Sequence, residues 1–271
     1  MSMRQNRKSD WIEQPQATVH DLALEQAIAG DLIELRFQPQ SNPRTGEVIG
    51  AEALARWSGA ETTETLFSRA AAVGLTERLS RHMQRKALRM AGKWHGVLEG
   101  LRLSLNLTPD DLARKGYDDW LIDELAAACL DPRRLTLEIT ESSLVIDPEI
   151  VSTRLSRLRD LGIEIAIDDF GTGYANLAYL TSLPLDTLKI DRGLIADVVG
   201  GSRDRIVVKA MIGMARELGL KVVIEGIETA AQLALIAAWD CDLYQGFLSA
   251  GALSEVELAR FVKASRSAAT S

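Results

Sequence analysis

The chain has 271 residues, 46% of them hydrophobic and 25% charged, a composition that excludes an intrinsically disordered protein. Its formal net charge of −7 offers no basic footprint for long nucleic acid. No apolar run approaches the roughly 18 residues of a membrane span, and the polar start at residues 1–8 lacks the apolar segment of a secretory signal. The expectation is a cytoplasmic protein that engages neither membrane nor long nucleic acid.

Residues 1–18 carry Gln, Lys and Arg without hydrophobic periodicity and read as a flexible tail. One domain is expected over residues 19–265, with a C-terminal tail at 266–271. An amphipathic helix over residues 22–29 stops at Gly30. Two strand-like runs, 34–39 and 48–56, flank the turn residues Asn42-Pro43-Arg44-Thr45-Gly46. That link is too short for a crossover helix, so the two runs form an antiparallel hairpin.

From there strands and helices alternate. Strands are expected at 101–107, 135–139, 163–168, 187–190, 221–225 and 242–247. A helix opens at Asp147-Pro148-Glu149 and runs to Gly162. Another has Ile206, Val207, Ala210, Met211, Met214 and Leu218 on one face. Thr229-x-x-Gln232 and Ser254-x-x-Glu257 are capping boxes opening two more. Eight strands with β/α alternation through six of them predict an α/β fold, a TIM-like (β/α)8 barrel with its first strand antiparallel.

Cys129 and Cys241 stand apart, so no disulfide framework or CxxC knuckle exists, and each reads as a buried small hydrophobe. His20, His82 and His95 have no partners at metal-ligand spacing. Any chemistry falls to carboxylates, and these stand where a barrel holds its site, at the C-terminal ends of the strands. In strand order the polar groups there are Glu52 with Arg56, Asn106, Glu138 with Glu141, Asp168-Asp169, Lys189 with Asp191, Glu225 with Glu228, and Gln245. Closing the barrel brings Glu52, Asn106, Glu138, Asp168, Asp169 and Glu225 towards one mouth. Carboxylates so crowded resist ionising unless cations neutralise them. Oxygen ligands without His or Cys select hard ions, Mg²⁺ or Mn²⁺. Adjacent aspartates can serve two ions, and a pair about 3.5–4 Å apart is the usual device for phosphoryl transfer to water.

The ordered set AEALARW (51–57), LNLTP (105–109), LEITES (137–142), DDFGTGYANL (168–177), LPLDTLKIDR (183–192), VVIEGIET (222–229) and YQGFL (244–248) resembles the EAL domain, the bacterial cyclic di-GMP phosphodiesterases. The resemblance spans residues 20–260. It implies that Glu52, Asn106, Glu138 and Asp168 hold a first metal, and that Asp168 bridges to a second completed by Asp169 and Glu225. It implies catalytic roles for Glu52, Glu225 and Lys189, the lysine hydrogen-bonding the nucleophilic water. Glu141 is implied as the anchor of the loop carrying Asp169, Phe170, Gly171, Thr172 and Gly173, and Gln38, Arg56 and Gln245 as substrate contacts. The implied reaction is hydrolysis of cyclic di-GMP to linear pGpG by a two-metal-activated water, in a homodimer; a regulatory signal is expected through a protein partner, a dimer contact or the short tail.

Three departures from the family pattern stand out: a shortened loop at residues 58–64, Ala175-Asn176 where serines are usual, and no basic residue or proline in the stretch 246–252. None removes an implied metal ligand. The alternative these loops leave open is a weak or inactive EAL domain acting as a cyclic di-GMP sensor or protein-interaction module.

Overall fold

The computed structural model describes residues 20–140, 148–171, 177–201 and 203–269. Strand β1 (Glu34–Ser41) pairs antiparallel with β2 (Val48–Arg56), with Gln38 opposite Glu52 and Gln40 opposite Gly50. The hairpin turns on Asn42, whose Oδ1 accepts from the Arg44 and Thr45 amides at 2.9 and 3.0 Å. Gly46 supplies the left-handed residue at φ 70°. Then β3 (Arg102–Leu107), β4 (Leu135–Thr140), β5 (Glu164–Phe170), β6 (Thr187–Ile190), β7 (Lys221–Ile224) and β8 (Leu243–Tyr244) follow in parallel register. Strand β8 returns antiparallel to β1 through Ser41 and Tyr244, closing an eight-stranded barrel.

Helices cover the barrel: α1 (Leu22–Ala29), α2 (Thr63–Ala72), α3 (Thr76–Ala91), α4 (Pro109–Ala113), α5 (Tyr117–Ala128), α6 (Pro148–Asp160), α7 (Leu177–Ser182), α8 (Arg203–Glu217), α9 (Ala230–Ala238) and α10 (Glu255–Ala269). Their starts follow side-chain chemistry. Asp21 accepts from Leu24 N at 3.0 Å, and both expected capping boxes form, Thr229 with Gln232 and Ser254 with Glu257. The apolar core lies between barrel and helices: Leu103, Leu105 and Leu107 of β3 point out onto the α3 face of Leu79, Met83 and Leu88. Among the described residues no helix is long and apolar enough to cross a membrane.

The lumen is different. Alternation turns Arg102, Ser104 and Asn106 inward on β3, and Thr136 and Glu138 on β4. Arg102, Glu164 and Lys221 cross the closed end, with pairs of 3.3 and 2.7 Å. Above them short side chains such as Ser104, Thr136, Ala166 and Thr187 leave a cavity of about 190 Å³ reaching up to Glu138 and Lys189. Polar residues therefore run through the interior as well as crowning it.

Three expectations need correction. Helix α8 buries Val208, Met211, Ile212 and Ala215, while Ile206, Val207 and Leu218 of the expected face are exposed. Cys241 is buried, but Cys129 is exposed. It occupies the left-handed C-cap of α5 at φ 53°, where the apolar role passes to Leu125 and Leu130 on either side. The last strand spans only Leu243–Tyr244 rather than residues 242–247, because Gln245 leaves the ladder to bond the loop after β7.

Candidate active site

At the C-terminal end of the barrel the carboxylates meet around one amine. Lys189 Nζ on β6 lies 2.6 Å from Glu138 Oε2, 2.8 Å from Glu225 Oε1, 3.0 Å from Asp168 Oδ2 and 3.8 Å from Glu52 Oε2. Lys189 and Glu138 are each 1% exposed. Two amides complete the arrangement. Asn106 Nδ2 donates to Glu52 Oε1 at 2.6 Å, while Gln245 Nε2 donates to Glu52 Oε2 at 2.8 Å and Glu225 Oε1 at 2.9 Å. Both oxygens of Glu52 are thereby oriented.

The Asp168-Asp169 pair depends on an irregularity. Consecutive residues of a regular strand face opposite sides. Here the β5–β6 register shifts between Ile167 and Phe170, and Asp169 takes φ 56°. This bulge swings the second carboxylate back towards the mouth. The Asp169 amide donates to Asp168 Oδ1 at 2.9 Å. Asp168, Asp169 and Glu225 then offer one oxygen each within 4.8 Å of one another, a set that can hold a metal ion.

The electrostatics show a site short of positive charge. Burial, against the pull of Lys189 and with the repulsion of Glu52 and Asp168, pushes the Glu138 carboxyl well above its usual range. Burial also pushes Glu225 up to about 8, opposed by Lys189 and reinforced by Asp168 and Glu52. Asp169 rises to about 6 through desolvation and the neighbouring Asp168 and Asp191. The ammonium of Lys189, though desolvated, is held well above its usual range by Asp168, Glu138, Glu225 and Glu52. Four carboxylates share this one ammonium and Asp169 adjoins two of them, so the donor set fits hard divalent cations.

The expected residues divide accordingly. Glu52, Asn106, Glu138, Asp168, Asp169, Lys189, Glu225 and Gln245 come together. Gln38 does not reach the carboxylates; its Nε2 donates to Ala250 O at 3.4 Å, on the loop after β8. Arg56 bonds Thr63 Oγ1 at 2.7 Å and Ala55 O at 2.8 Å, which ties the end of β2 to the start of α2. The short 58–64 loop is thus firmly built, with Arg69 4.8 Å above the Trp57 ring and bonded to Gly59 O at 2.8 Å. Asp191 is a cap, accepting from Gly193 N at 2.8 Å. Glu141 and residues 172–176 lie outside the described residues.

Two site residues escaped the sequence reading. Gln40 Nε2 donates to Gln245 Oε1 at 3.1 Å and Glu138 Oε1 at 3.4 Å, and Ser104 Oγ donates to Gln40 Oε1 at 3.4 Å. The available signal was spacing: Gln40 is two residues from Gln38, and Ser104 two from Asn106, on the same strand faces.

Comparison with known proteins agrees with this geometry. Residues 21–252 match the EAL domain family. The chain is 39% identical over 248 residues to the cyclic di-GMP phosphodiesterase NbdA of Pseudomonas aeruginosa, covering 90% of this chain and 32% of that protein. It thus spans about a third of that curated relative's length. Among solved structures, the PaMucR phosphodiesterase in complex with c-di-GMP superposes with a TM-score of 0.80 at 34% identity, over 88% of this chain and 98% of that one. The Klebsiella pneumoniae BlrP1 calcium/cy-diGMP complex gives 0.75 at 29%, over 83% and 56%. Barrel topology, mouth chemistry and sequence concur: the chain belongs to the EAL domain family.

Proposed function

We propose that the chain hydrolyses cyclic di-GMP to the linear dinucleotide pGpG, lowering this second messenger. The observation that carries the reading is the gathering of Glu52, Glu138, Asp168 and Glu225 around the ammonium of Lys189, with Asp169 beside Asp168 and Glu225. Glu52, Asn106, Glu138 and Asp168 would hold one divalent ion, and Asp168, Asp169 and Glu225 a second. Such ions, Mg²⁺ or Mn²⁺, supply Lewis acidity that makes water nucleophilic near neutral pH and offsets charge on the phosphoryl oxygens.

The chain's own groups do the rest. Asn106 and Gln245 orient the two oxygens of Glu52, and the bulge at Asp168-Asp169 aims adjacent acids at one point. Lys189 holds the acids close and opposes the upward push of burial on Glu138 and Glu225, and its N–H groups are placed to orient the attacking water. Water adds to one phosphorus as its bond to the 3′ oxygen breaks; that oxygen leaves as a hydroxyl and the other nucleotide keeps the phosphate. A homodimer is carried by family resemblance alone; a regulatory protein partner and a cytoplasmic setting are proposed beside it from the sequence.

The test is hydrolysis of cyclic di-GMP with Mg²⁺ or Mn²⁺, with pGpG resolved by chromatography and EDTA and Glu52→Ala as controls. Metal-dependent product, lost in both controls, supports the reading. Substantial turnover by a folded Glu52→Ala protein refutes the site. Nucleotide binding without turnover under any metal replaces the enzyme with a sensor.

A further inference from the structure

An amide that donates to two carboxylates must present its nitrogen to both, so only one of its two flips is useful. Gln245 is in this position, with Nε2 shared between Glu52 Oε2 and Glu225 Oε1. What selects that flip is the group meeting its oxygen. Here it is a donor, Gln40 Nε2, at 3.1 Å. The second hydrogen on the same nitrogen serves Glu138 Oε1 at 3.4 Å. With its nitrogen turned to Gln245 and Glu138, Gln40 presents its oxygen to the Ser104 hydroxyl, which donates to Gln40 Oε1 at 3.4 Å. Ser104, Gln40 and Gln245 therefore form a chain of donors with one direction, all three buried, ending on Glu52, Glu138 and Glu225.

Packing does not explain the placement of Gln40. Its side chain and Ser104 both line the lumen cavity of about 190 Å³, so that side offers open space rather than contact. Gln40 is 5% exposed and lies beneath the acids. It comes from β1, the reversed strand, and bridges it to Glu138 of β4 and to Gln245, just after β8.

We propose that Gln40 is a positioning residue for the candidate active site: it holds Gln245 in the one flip that serves Glu52 and Glu225, and it braces Glu138 from below. The kinetic consequence rests on the phosphodiesterase reading above; the geometric one does not. Loss of Gln40 should lower kcat while leaving KM nearly unchanged, because the residue orients acids and is too buried to meet substrate.

The experiment compares wild type, Gln40→Met and Gln40→Glu, with melting curves to confirm folding. Gln40→Met keeps the length and removes the donors. Gln40→Glu keeps the shape and turns an acceptor towards Gln245 Oε1 and Glu138 Oε1. Expected are a roughly tenfold fall in kcat for Gln40→Met and at least a further tenfold for Gln40→Glu. Mn²⁺ affinity, measured by calorimetry without nucleotide, should weaken about threefold or more in each variant. Side-chain amide signals in ¹⁵N-glutamine-labelled protein in EDTA give a readout independent of metal and turnover. The Gln245 pair, identified by its loss in Gln245→Glu, should exchange with solvent at least about tenfold faster in Gln40→Met. If Gln40→Met fails to fold, Ser104→Ala removes only the far donor and should show the same changes at about threefold. Unchanged Gln245 exchange, or kcat and Mn²⁺ affinity both within twofold of wild type, overturns the proposal. A wild type without turnover overturns the enzyme reading instead, and the amide signals then decide the role of Gln40.

Discussion

Replacing Glu225 by Gln separates what this site costs the fold from what it gives the chemistry. In the metal-free protein Glu225 holds its proton up to about pH 8 instead of its ordinary 4.5. Below pH 4.5 the group is protonated whether folded or unfolded and has no effect on stability. Between 4.5 and 8 the unfolded chain releases the proton and the folded one does not. The folded state binds the extra proton, so stability falls as pH rises through this window and levels off above it. At about 1.4 kcal/mol for each pH unit, the full penalty is about 5 kcal/mol as an upper limit. Glutamine cannot ionise, and its oxygen can still accept from Lys189 Nζ and Gln245 Nε2, which lie 2.8 and 2.9 Å from Glu225 Oε1.

In EDTA, Glu225→Gln should match wild type near pH 5 and exceed it by several kcal/mol at pH 8.5, measured by urea unfolding followed by circular dichroism. Saturating Mn²⁺ should narrow that gap, because an ion at a hundredfold over its Kd adds about 2.7 kcal/mol to the protein that binds it. Turnover of cyclic di-GMP should fall to background. A gap in EDTA that does not widen between pH 5 and 8.5, or a variant less stable than wild type at pH 8.5, would refute the reasoning.

Three other outcomes follow from local geometry. Asp111 is fully buried, accepts from Ser80 Oγ at 2.6 Å, Gln84 Nε2 at 3.1 Å and Thr108 N at 3.0 Å, and pairs with Arg114 at 3.3 Å. Asp111→Ala should cost about 3 kcal/mol in urea unfolding and lower turnover, since Thr108 is two residues beyond Asn106; a loss below about 1 kcal/mol would deny the network its role. With a thiol reagent, native protein should label quickly at exposed Cys129, whereas Cys241, buried and with its thiol pushed up to about 12, should react only after unfolding. Two fast thiols in the native protein would contradict this. A Cβ at Gly246 would overlap the Ile227 backbone, so Gly246→Ala should lower the melting temperature by several degrees and weaken the seating of Gln245. An unchanged melting curve would show that the β7 and β8 loops part more easily than their bonds suggest.

The order of elements and the identity of most acids were legible in the sequence, because both depend on local rules. Thr229 with Gln232 and Ser254 with Glu257 announce their helices through side chains three residues apart, and both boxes form. The short link around Asn42 forces the antiparallel hairpin whatever the rest of the chain does. Strand ends gathering at one mouth likewise follow from barrel closure, so Glu52, Glu138, Asp168 and Glu225 could be named in advance.

Only the tertiary structure decided how those acids are used. The bulge at Asp168-Asp169 has no local signature, yet without it the two carboxylates would face opposite sides of β5. Gln38 and Gln40 look alike in sequence, and strand stagger alone puts one beside Ala250 and the other beneath Glu138. Arg56 carries a fork suited to a ligand, and only the fold shows that its Nη1 also bonds Thr63 and Ala55, tying β2 to α2. Residue type and spacing set which groups reach the mouth. Which of them touch depends on register, bulge and closure, and these are fixed by contacts between residues as far apart in the chain as Glu52 and Gln245.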